Sequence, residues 1–340
     1  MSTSQRVKTA LIGCGDIAQA HWRGIQGHAP SIKVTAVVDT DAERAEKMAD
    51  QTGAQAFTSL ETALSDGDFT AVDIMLPHDQ HEAVAVAAFA AAKHVVLEKP
   101  MAPTLDACAR IQEAATAAAT VFMVAEQSQY WPDALKVQEL IRAGAIGEII
   151  TARAFFGGAV GGGWGSKPWR YELAKAGGGI VIDGGAHWIR PLRMWLGEID
   201  EVVAVTGRPL EEMEGESLTR ALMRFESGTV AVFDALRAGS FMGPGDEFRI
   251  TGTMGELIVE KGHSGRLLRY DKAHPEGEVL ADTKDEGRSA SFGYELQDFA
   301  LAVLEGKELE AGPDYSLGEL RTALAIYRSA ESKQWEKVWE

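Results

Sequence analysis

Short apolar runs alternate with amphipathic stretches through the first third of the chain. TALI at 9–12, KVTAVVD at 33–39, AVDIMLP at 71–77, HVVLEKP at 94–100 and VFMVAEQ at 121–127 have the length and β-branched content of buried strands. Between them, residues 41–53, 82–92 and 105–119 are alanine-rich and read as helices, the first with charges on its outer face and the last of poor amphipathicity. Strand and helix alternating in this way predict a doubly wound parallel sheet, an α/β domain over residues 1–127. The pattern then changes. After a helix at 132–143 ended by Gly144, strands at 147–156, 201–207, 218–226, 229–237, 247–252, 256–260 and 266–270 follow without regular helices between them. FESGTVAVF and GTMGELIVE read as hairpins turning at Ser227-Gly228 and Met254-Gly255. Residues 128–340 are therefore expected to form an α+β domain built on an open antiparallel sheet. Two tail helices, near 294–305 and 316–332, are expected to pack back on the first domain, and the glycine run GGAVGGGWG at 157–165 reads as a mobile loop.

The first turn of the alternating region carries the clearest chemistry. In GCGDIA, Gly13 permits a tight turn after the first strand and Gly15 lets backbone approach a pyrophosphate. Ala18 fills the third small position, where helix packs closely on strand. The helix that starts around Asp16 and Ile17 would aim unpaired amides and a partial positive charge at the phosphates. Asp39, at the end of the second strand, stands where a carboxylate accepts hydrogen bonds from a ribose diol. Thr40 follows it with no arginine beside it, which points to NAD rather than NADP. Arg44 reads as a solvated helix position. Pro77, His81, Glu98 and Lys99 lie at the carboxyl ends of later strands, the edge where ligands collect in an open parallel sheet, and are expected around the cofactor. His81 has a second reading as a structural helix-start histidine.

Composition narrows the partners. The 340 residues carry a formal charge of -17, which argues against nucleic acid or an anionic membrane surface as partner. Cys14 and Cys108 make neither a disulfide framework nor metal-ligand spacing, so no metal is expected and the setting is expected to be a reducing cytoplasm. No apolar signal region precedes the first strand and no apolar run is long enough to span a bilayer.

A second candidate site lies at KPWRYELAKAGGGIVIDGGAHWIRPLRMWLG, residues 167–197. From Gly179 the apolar spacing suits a helix ended by Gly197, with Asp183 and His187 four apart on one face as a proton-handling pair. Gly184 and Gly185 cost such a helix roughly 1 kcal/mol each relative to alanine, so something should pack against the backbone there. Pro191 should bend it.

Taken in order, GCGDIA, Asp39, EKP at 98–100 and GGGIVIDGGAH at 177–187, followed by the strand-rich half, resemble the Gfo/Idh/MocA family of sugar and cyclitol oxidoreductases. The resemblance covers nearly the whole chain. It implies NAD as cofactor and Lys99, Asp183 and His187 around the reacting carbinol. His187 would take the proton, Lys99 would stabilise the alkoxide, and Asp183 would orient the hydroxyl or the imidazole. It also leaves open a redox-neutral glycosidase that uses NAD catalytically, on an anionic glycoside such as a sulfoquinovoside. Family members often carry an aspartate three residues after the histidine, where this chain has Arg190. That departure, with Lys167, Arg170, Lys175 and Arg193 nearby in an acidic chain, points to a substrate bearing a carboxylate or sulfonate. Trp169, Arg170 and Arg190 are expected to contact it, Arg190 first because a guanidinium offers several donors in a fixed fork. The alternative is that these cations pair with neighbouring carboxylates such as Glu172 and Glu198. The alternating TVAVFDAL leaves an apolar sheet face to cover, so a homo-oligomer, dimer or tetramer, is expected.

Overall fold

Strand β1 (Val7–Ile12) leads into helix α1 (Asp16–His28), and the alternation continues through β2 (Ile32–Val38), α2 (Ala42–Thr52), β3 (Gln55–Phe57) and α3 (Leu60–Asp66). It runs on through β4 (Ala71–Ile74), α4 (His81–Ala90), β5 (His94–Glu98), α5 (Leu105–Ala118) and β6 (Phe122–Ala125). Then come α6 (Pro132–Arg142), β7 (Ile149–Ala159), the short α7 (Pro168–Tyr171) and α8 (Leu173–Ala176), a π-turn at Val181–Gly185, and α9 (Ala186–Leu196). Strands β8 (Ile199–Gly207), β9 (Leu218–Phe225), β10 (Val230–Ala238), β11 (Asp246–Gly252), β12 (Gly255–Glu260), β13 (Arg266–Asp271) and β14 (Glu278–Asp282) follow. Helices α10 (Ser291–Glu305) and α11 (Leu317–Ser332) and strand β15 (Glu336–Lys337) end the chain. This computed structural model describes residues 5–159, 168–240, 243, 245–260, 265–282 and 288–340. Lys167 and most of the expected glycine loop, residues 160–165, lie outside them, while 157–159 continue β7.

The chain divides into two units, one of residues 1–127 and 289–316, the other of 128–288 and 317–340. In the first, six parallel strands run in the order β3-β2-β1-β4-β5-β6. The order reverses between β1 and β4, and the crevice at the carboxyl ends of those strands is where such sheets bind ligands. The strands are apolar on both faces because helices cover both; Ala10, Leu11, Val72, Ile74, Val95 and Val96 are all buried. Side-chain caps set the helix starts. Asp41 accepts from the amides of Glu43 and Arg44 at 3.0 and 3.3 Å, and Ser59 and Thr104 cap α3 and α5.

The second unit is a nine-stranded sheet in the order β14-β13-β12-β11-β7-β10-β9-β8-β15. It is mixed rather than purely antiparallel, since β10 lies parallel to β7. The meander β8-β9-β10 returns to the sheet only after the helical segment 168–196, and so arrives beside β7 in the same direction. Phe225, Phe233 and Phe248 point inward from the sheet and are fully buried. Strands β14 and β15 escaped the periodicity reading because they are short edge strands of mixed polarity.

The expectation that both tail helices join the first domain is corrected. Helix α10 does, with Tyr294 stacked edge-on against His28 and Gln297 accepting the Ser31 amide at 3.1 Å. Helix α11 belongs to the second unit, where it lies along β8 with Leu320, Ala323 and Ile326 buried and Ser329 accepting the Ala204 amide at 2.9 Å. Among the described residues no helix is long and apolar enough to cross a membrane.

Candidate active site

In the first unit the turn after β1 is built for a diphosphate. Gly13 has φ of 91° and donates to the Val38 carbonyl at 2.8 Å, and a Cβ there would lie 2.5 Å from the Met75 carbonyl oxygen. A side chain is therefore excluded by both strain and contact. Gly15 is the N-cap of α1 and caps it with no side chain; a Cβ at Gly15 would meet nothing among the described residues within 4 Å. A helix N-terminus without a side-chain cap is the arrangement that holds anions. Ala18 is fully buried against the sheet.

Asp39 is anchored beside this turn. Its Oδ2 accepts from the Cys14 amide and its Oδ1 from the Asp41 amide, both at 2.9 Å. Arg44 is not simply solvated. Its Nε and Nη2 bracket the same carboxylate at 3.1 and 2.7 Å. Burial pushes the Asp39 carboxyl up, but Arg44 and then the two amides outweigh it and hold it below the usual carboxylate range. Cys14 packs beneath, its thiol pushed up to about 12 by burial and by Asp39.

Further along the strand ends, two expected cofactor contacts turn inward. His81 is fully buried, with Nε2 2.9 Å from the Leu76 carbonyl and Nδ1 3.0 Å from the Pro100 carbonyl, so its ring ties the loop after β4 to the loop after β5. Pro77 starts the short turn between them. Glu98, the last residue of β5, follows the strand alternation into the core. Its Oε1 meets Nε2 of His21 at 3.0 Å and its Oε2 accepts the Lys99 amide at 3.0 Å. Lys99, one residue on, is half-buried at the strand end.

His21 centres a buried polar cluster that periodicity did not reveal. Its Nδ1 lies 2.8 Å from Asp73, and Glu126 and Glu295 complete the group from the end of β6 and from α10. Burial opposes charge on His21, yet Asp73 first and Glu98 after it raise its pKa well above the ordinary value. Burial, reinforced by Glu98, Glu126 and Asp73, raises the Glu295 carboxyl well above its own, and neither of its oxygens has a hydrogen-bond partner among the described residues. One signal was readable: Asp73 interrupts an otherwise apolar strand, and a carboxylate so placed requires a cation or a proton.

In the second unit, Asp183 and His187 sit on one continuous helical segment, but not on a regular helix. The amide of Gly185 reaches back five residues to the Ile180 carbonyl at 2.7 Å, making the π-turn that precedes α9. The space a Cβ would need at Gly184 is filled by the Phe156 ring, and at Gly185 the Phe233 ring would be 3.1 Å away. These rings are what pack against the glycine pair. Asp183 is 5% exposed and accepts from Nε of Arg170 at 2.8 Å; that guanidinium lies over Trp169, 4.4 Å from the ring centre. His187 is 7% exposed between Trp131 and Trp188, at 6.2 and 6.4 Å between ring centres.

Three of the cations expected to meet an anionic substrate, Lys175, Arg190 and Arg193, are paired with carboxylates instead. Arg190 has no exposed surface; its Nε and Nη2 bind the two oxygens of Glu319 at 2.8 Å each, and Nη1 binds Gln129 at 3.2 Å. Its role as a substrate contact is therefore corrected to a buried, bidentate structural pair. Arg193 binds Glu198 and Glu319, and Lys175 binds Glu172 at 2.7 Å. Arg237, at the end of β10, is the residue sequence reading missed. Its guanidinium lies over Phe156, 5.2 Å from the ring centre; burial lowers its pKa, and the charges of Asp183 and then Tyr171 act against that shift. Nothing local in ALRAG marks it.

Residues 7–126 match the model of an oxidoreductase family with an NAD-binding Rossmann fold, and residues 134–258 match the C-terminal domain of the same family. Among curated proteins, the chain is 30% identical to 1,5-anhydro-D-fructose reductase of Ensifer adhaerens, covering 96% of this chain and 97% of that one. It is 27% identical to levoglucosan dehydrogenase of Pseudarthrobacter phenanthrenivorans over 98% of both. Among solved structures, an NAD-binding oxidoreductase from Klebsiella pneumoniae superposes with a TM-score of 0.84 at 26% identity, covering 98% of this chain and all (100%) of that one. Levoglucosan dehydrogenase in complex with NADH and levoglucosan shares the fold, with a TM-score of 0.85 at 23% identity over 99% of this chain and 100% of that one. The open glycine turn, the anchored Asp39 and the two matched domains together make this chain a member of the GFO/IDH/MocA oxidoreductase family, with an NAD-binding Rossmann domain.

Proposed function

We propose that this enzyme interconverts a secondary hydroxyl of a sugar, sugar acid or cyclitol and the corresponding ketone, using NAD. The observation that carries the reading is the buried Asp183 and His187 on one helical segment of a chain whose other unit holds an uncapped, open glycine turn. NAD, when bound, supplies the acceptor for the hydride of the carbinol carbon. His187 takes the hydroxyl proton, sheltered from water by Trp131 and Trp188. Lys99 brings a cation to the developing alkoxide. Asp183, held by Arg170, orients the hydroxyl or the imidazole. Asp39 takes the ribose diol and favours NAD over NADP.

The named activities of the curated relatives, on 1,5-anhydro-D-fructose and levoglucosan, support a carbohydrate substrate. A negative charge on that sugar would be met by Arg170, whose guanidinium holds the Asp183 carboxylate, and by Arg237, half-buried over Phe156. The test is NADH formation with a panel that pairs each uronate or sulfonate sugar with its neutral parent, alongside an aryl glycoside of each. NADH accumulating with free sugar supports the dehydrogenase; aglycone release without net NADH replaces it with the redox-neutral glycosidase. Neutral and charged sugars used equally well remove the anionic preference.

The outer face of the nine-stranded sheet carries Val203, Leu222 and Val232 in register across three strands, beside Val205, which is 63% exposed. A second copy of the chain is the proposed cover, and sedimentation showing a monomer at micromolar concentration would remove it. The buried Cys14 and Cys108 fit a cytoplasmic setting.

A further inference from the structure

The segment that carries Asp183 and His187 begins with three amides that a helix of its own kind cannot satisfy. All three end on one residue. Glu216, just before β9, accepts the Gly179 amide on Oε2 at 2.8 Å, the Ile180 amide on its backbone carbonyl at 2.9 Å and the Val181 amide on Oε1 at 2.9 Å. The hydroxyl of Tyr327, from α11, lies 3.1 Å from Oε1 and 3.2 Å from the Gly179 nitrogen. The glycine run exists for this contact: a Cβ on Gly179 would fall on the backbone and carboxylate of Glu216, one on Gly178 on the Tyr327 ring, and one on Gly215 within 2.6 Å of the Gly179 Cα.

We infer that Glu216 is a positioning residue of the active site, a carboxylate that caps the amides of Gly179 and Val181 and so fixes the turn on which Asp183 and His187 stand. This rests on the roles proposed for those two residues. A negative group at the start of a helical segment also meets the positive end of its dipole. Burial pushes the Glu216 carboxyl up to about 7, against the amides of Val181 and Gly179 and the Tyr327 hydroxyl, which pull it down. Tyr327 is the titratable side chain hydrogen-bonded to it, and burial, then Glu216, holds Tyr327 well above its own ordinary value, so it stays neutral. Near neutral pH, protonation would take the charge off the cap and leave one of the two amides with the weaker acceptor of a carboxyl hydroxyl, and the turn would loosen.

The test uses the full chain and the variants Glu216→Gln, Glu216→Asp and Tyr327→Phe. Gln keeps the shape but turns an amide donor toward a backbone amide. Hydrogen exchange of residues 177–187 is followed as protection factors, and turnover of levoglucosan with NAD is measured in parallel. The expected result for Glu216→Gln is protection lost at 177–187 but kept in β8–β10, with kcat lowered up to about 100-fold, as displacement of a reacting group costs, and NAD affinity unchanged. Glu216→Asp should recover part of both effects, and Tyr327→Phe should lose little. In wild type, protection at 177–187 should fall as pH falls through about 7, and this pH dependence should vanish in Glu216→Gln. Wild-type protection in Glu216→Gln, uniform loss across the second unit, or an Asp variant no better than Gln would overturn the assignment. If wild type does not turn over levoglucosan, the substrate reading fails there, while the exchange data still decide Glu216.

Discussion

Gly15 and the pair Gly178 and Gly179 lie in look-alike glycine runs and do opposite work. Beside Gly15 the place of a Cβ is clear of described atoms to 4 Å, whereas beside Gly178 and Gly179 it is already filled by Tyr327 and Glu216. The first run leaves room for something to arrive, and it offers main-chain amides. The second closes the chain on itself so that side chains two turns further on stand in fixed positions. In the proposed reading, one unit would serve the cofactor with backbone and the other the substrate with side chains. In both, a buried carboxylate accepts a backbone amide, Glu98 that of Lys99 and Glu216 that of Val181.

The largest expected effect separates those two carboxylates. His21→Gln removes the cation between Asp73 and Glu98 and should cost about 3–5 kcal/mol, the usual penalty for breaking a buried pair. His21 is raised in the fold, so its stabilisation is complete below about 6.5, the unfolded histidine value, and is lost as pH climbs through the folded value well above it. Glu295, also raised, adds in the same direction. Unfolding midpoints of wild type and His21→Gln should therefore differ most in mildly acidic buffer and converge toward alkaline pH. A gap that widens with pH would sink the charged cluster.

Next in size is the contrast between the glycine runs. Gly179→Ala forces a methyl onto the Glu216 backbone and should destabilise by about 1–3 kcal/mol, the range for overpacking. Gly15→Ala meets open space, so its unfolding midpoint should stay near that of wild type while NAD binding weakens by about tenfold, roughly 1.4 kcal/mol. Calorimetry with NAD titration measures both. Equal stability losses would erase the distinction.

The smallest expected effect concerns Arg44. Wild type should prefer NAD, and Asp39→Ser should shift the ratio of NAD to NADP affinities by about tenfold, roughly 1.4 kcal/mol, because the carboxylate goes while the Arg44 guanidinium stays. An unchanged ratio would remove Asp39 as the selector.

Local pattern made much of this molecule legible. Periodicity located the strands of the parallel sheet, and the Gly13, Gly15 and Asp39 spacing marked the cofactor turn because βα geometry is dictated within a few dozen residues. The helical segment carrying Asp183 and His187 was readable, and Gly184 and Gly185 as a packing site, although the π-turn there packs on Phe156 and Phe233 from distant strands. What stayed hidden is set by contacts far apart in sequence. Arg190 looked like a substrate ligand until Glu319, 129 residues away, occupied it. Glu98 and His81, expected at the cofactor edge, also hold internal partners, His21 and the Leu76 and Pro100 carbonyls, that strand ends alone do not reveal. Arg237 and Glu216 have no local motif, and Glu216 reaches the Asp183 segment from the loop before β9.

The most direct test of the catalytic assignment is single-site kinetics on His187→Ala with NAD and the best carbohydrate from the panel, with NAD affinity measured on the same preparation. Loss of a general base predicts kcat lower by about 100-fold to 10,000-fold with NAD binding unchanged, and Lys99→Ala should fall in the same range. Near wild-type turnover in His187→Ala would contradict the assignment and return that residue to packing between Trp131 and Trp188.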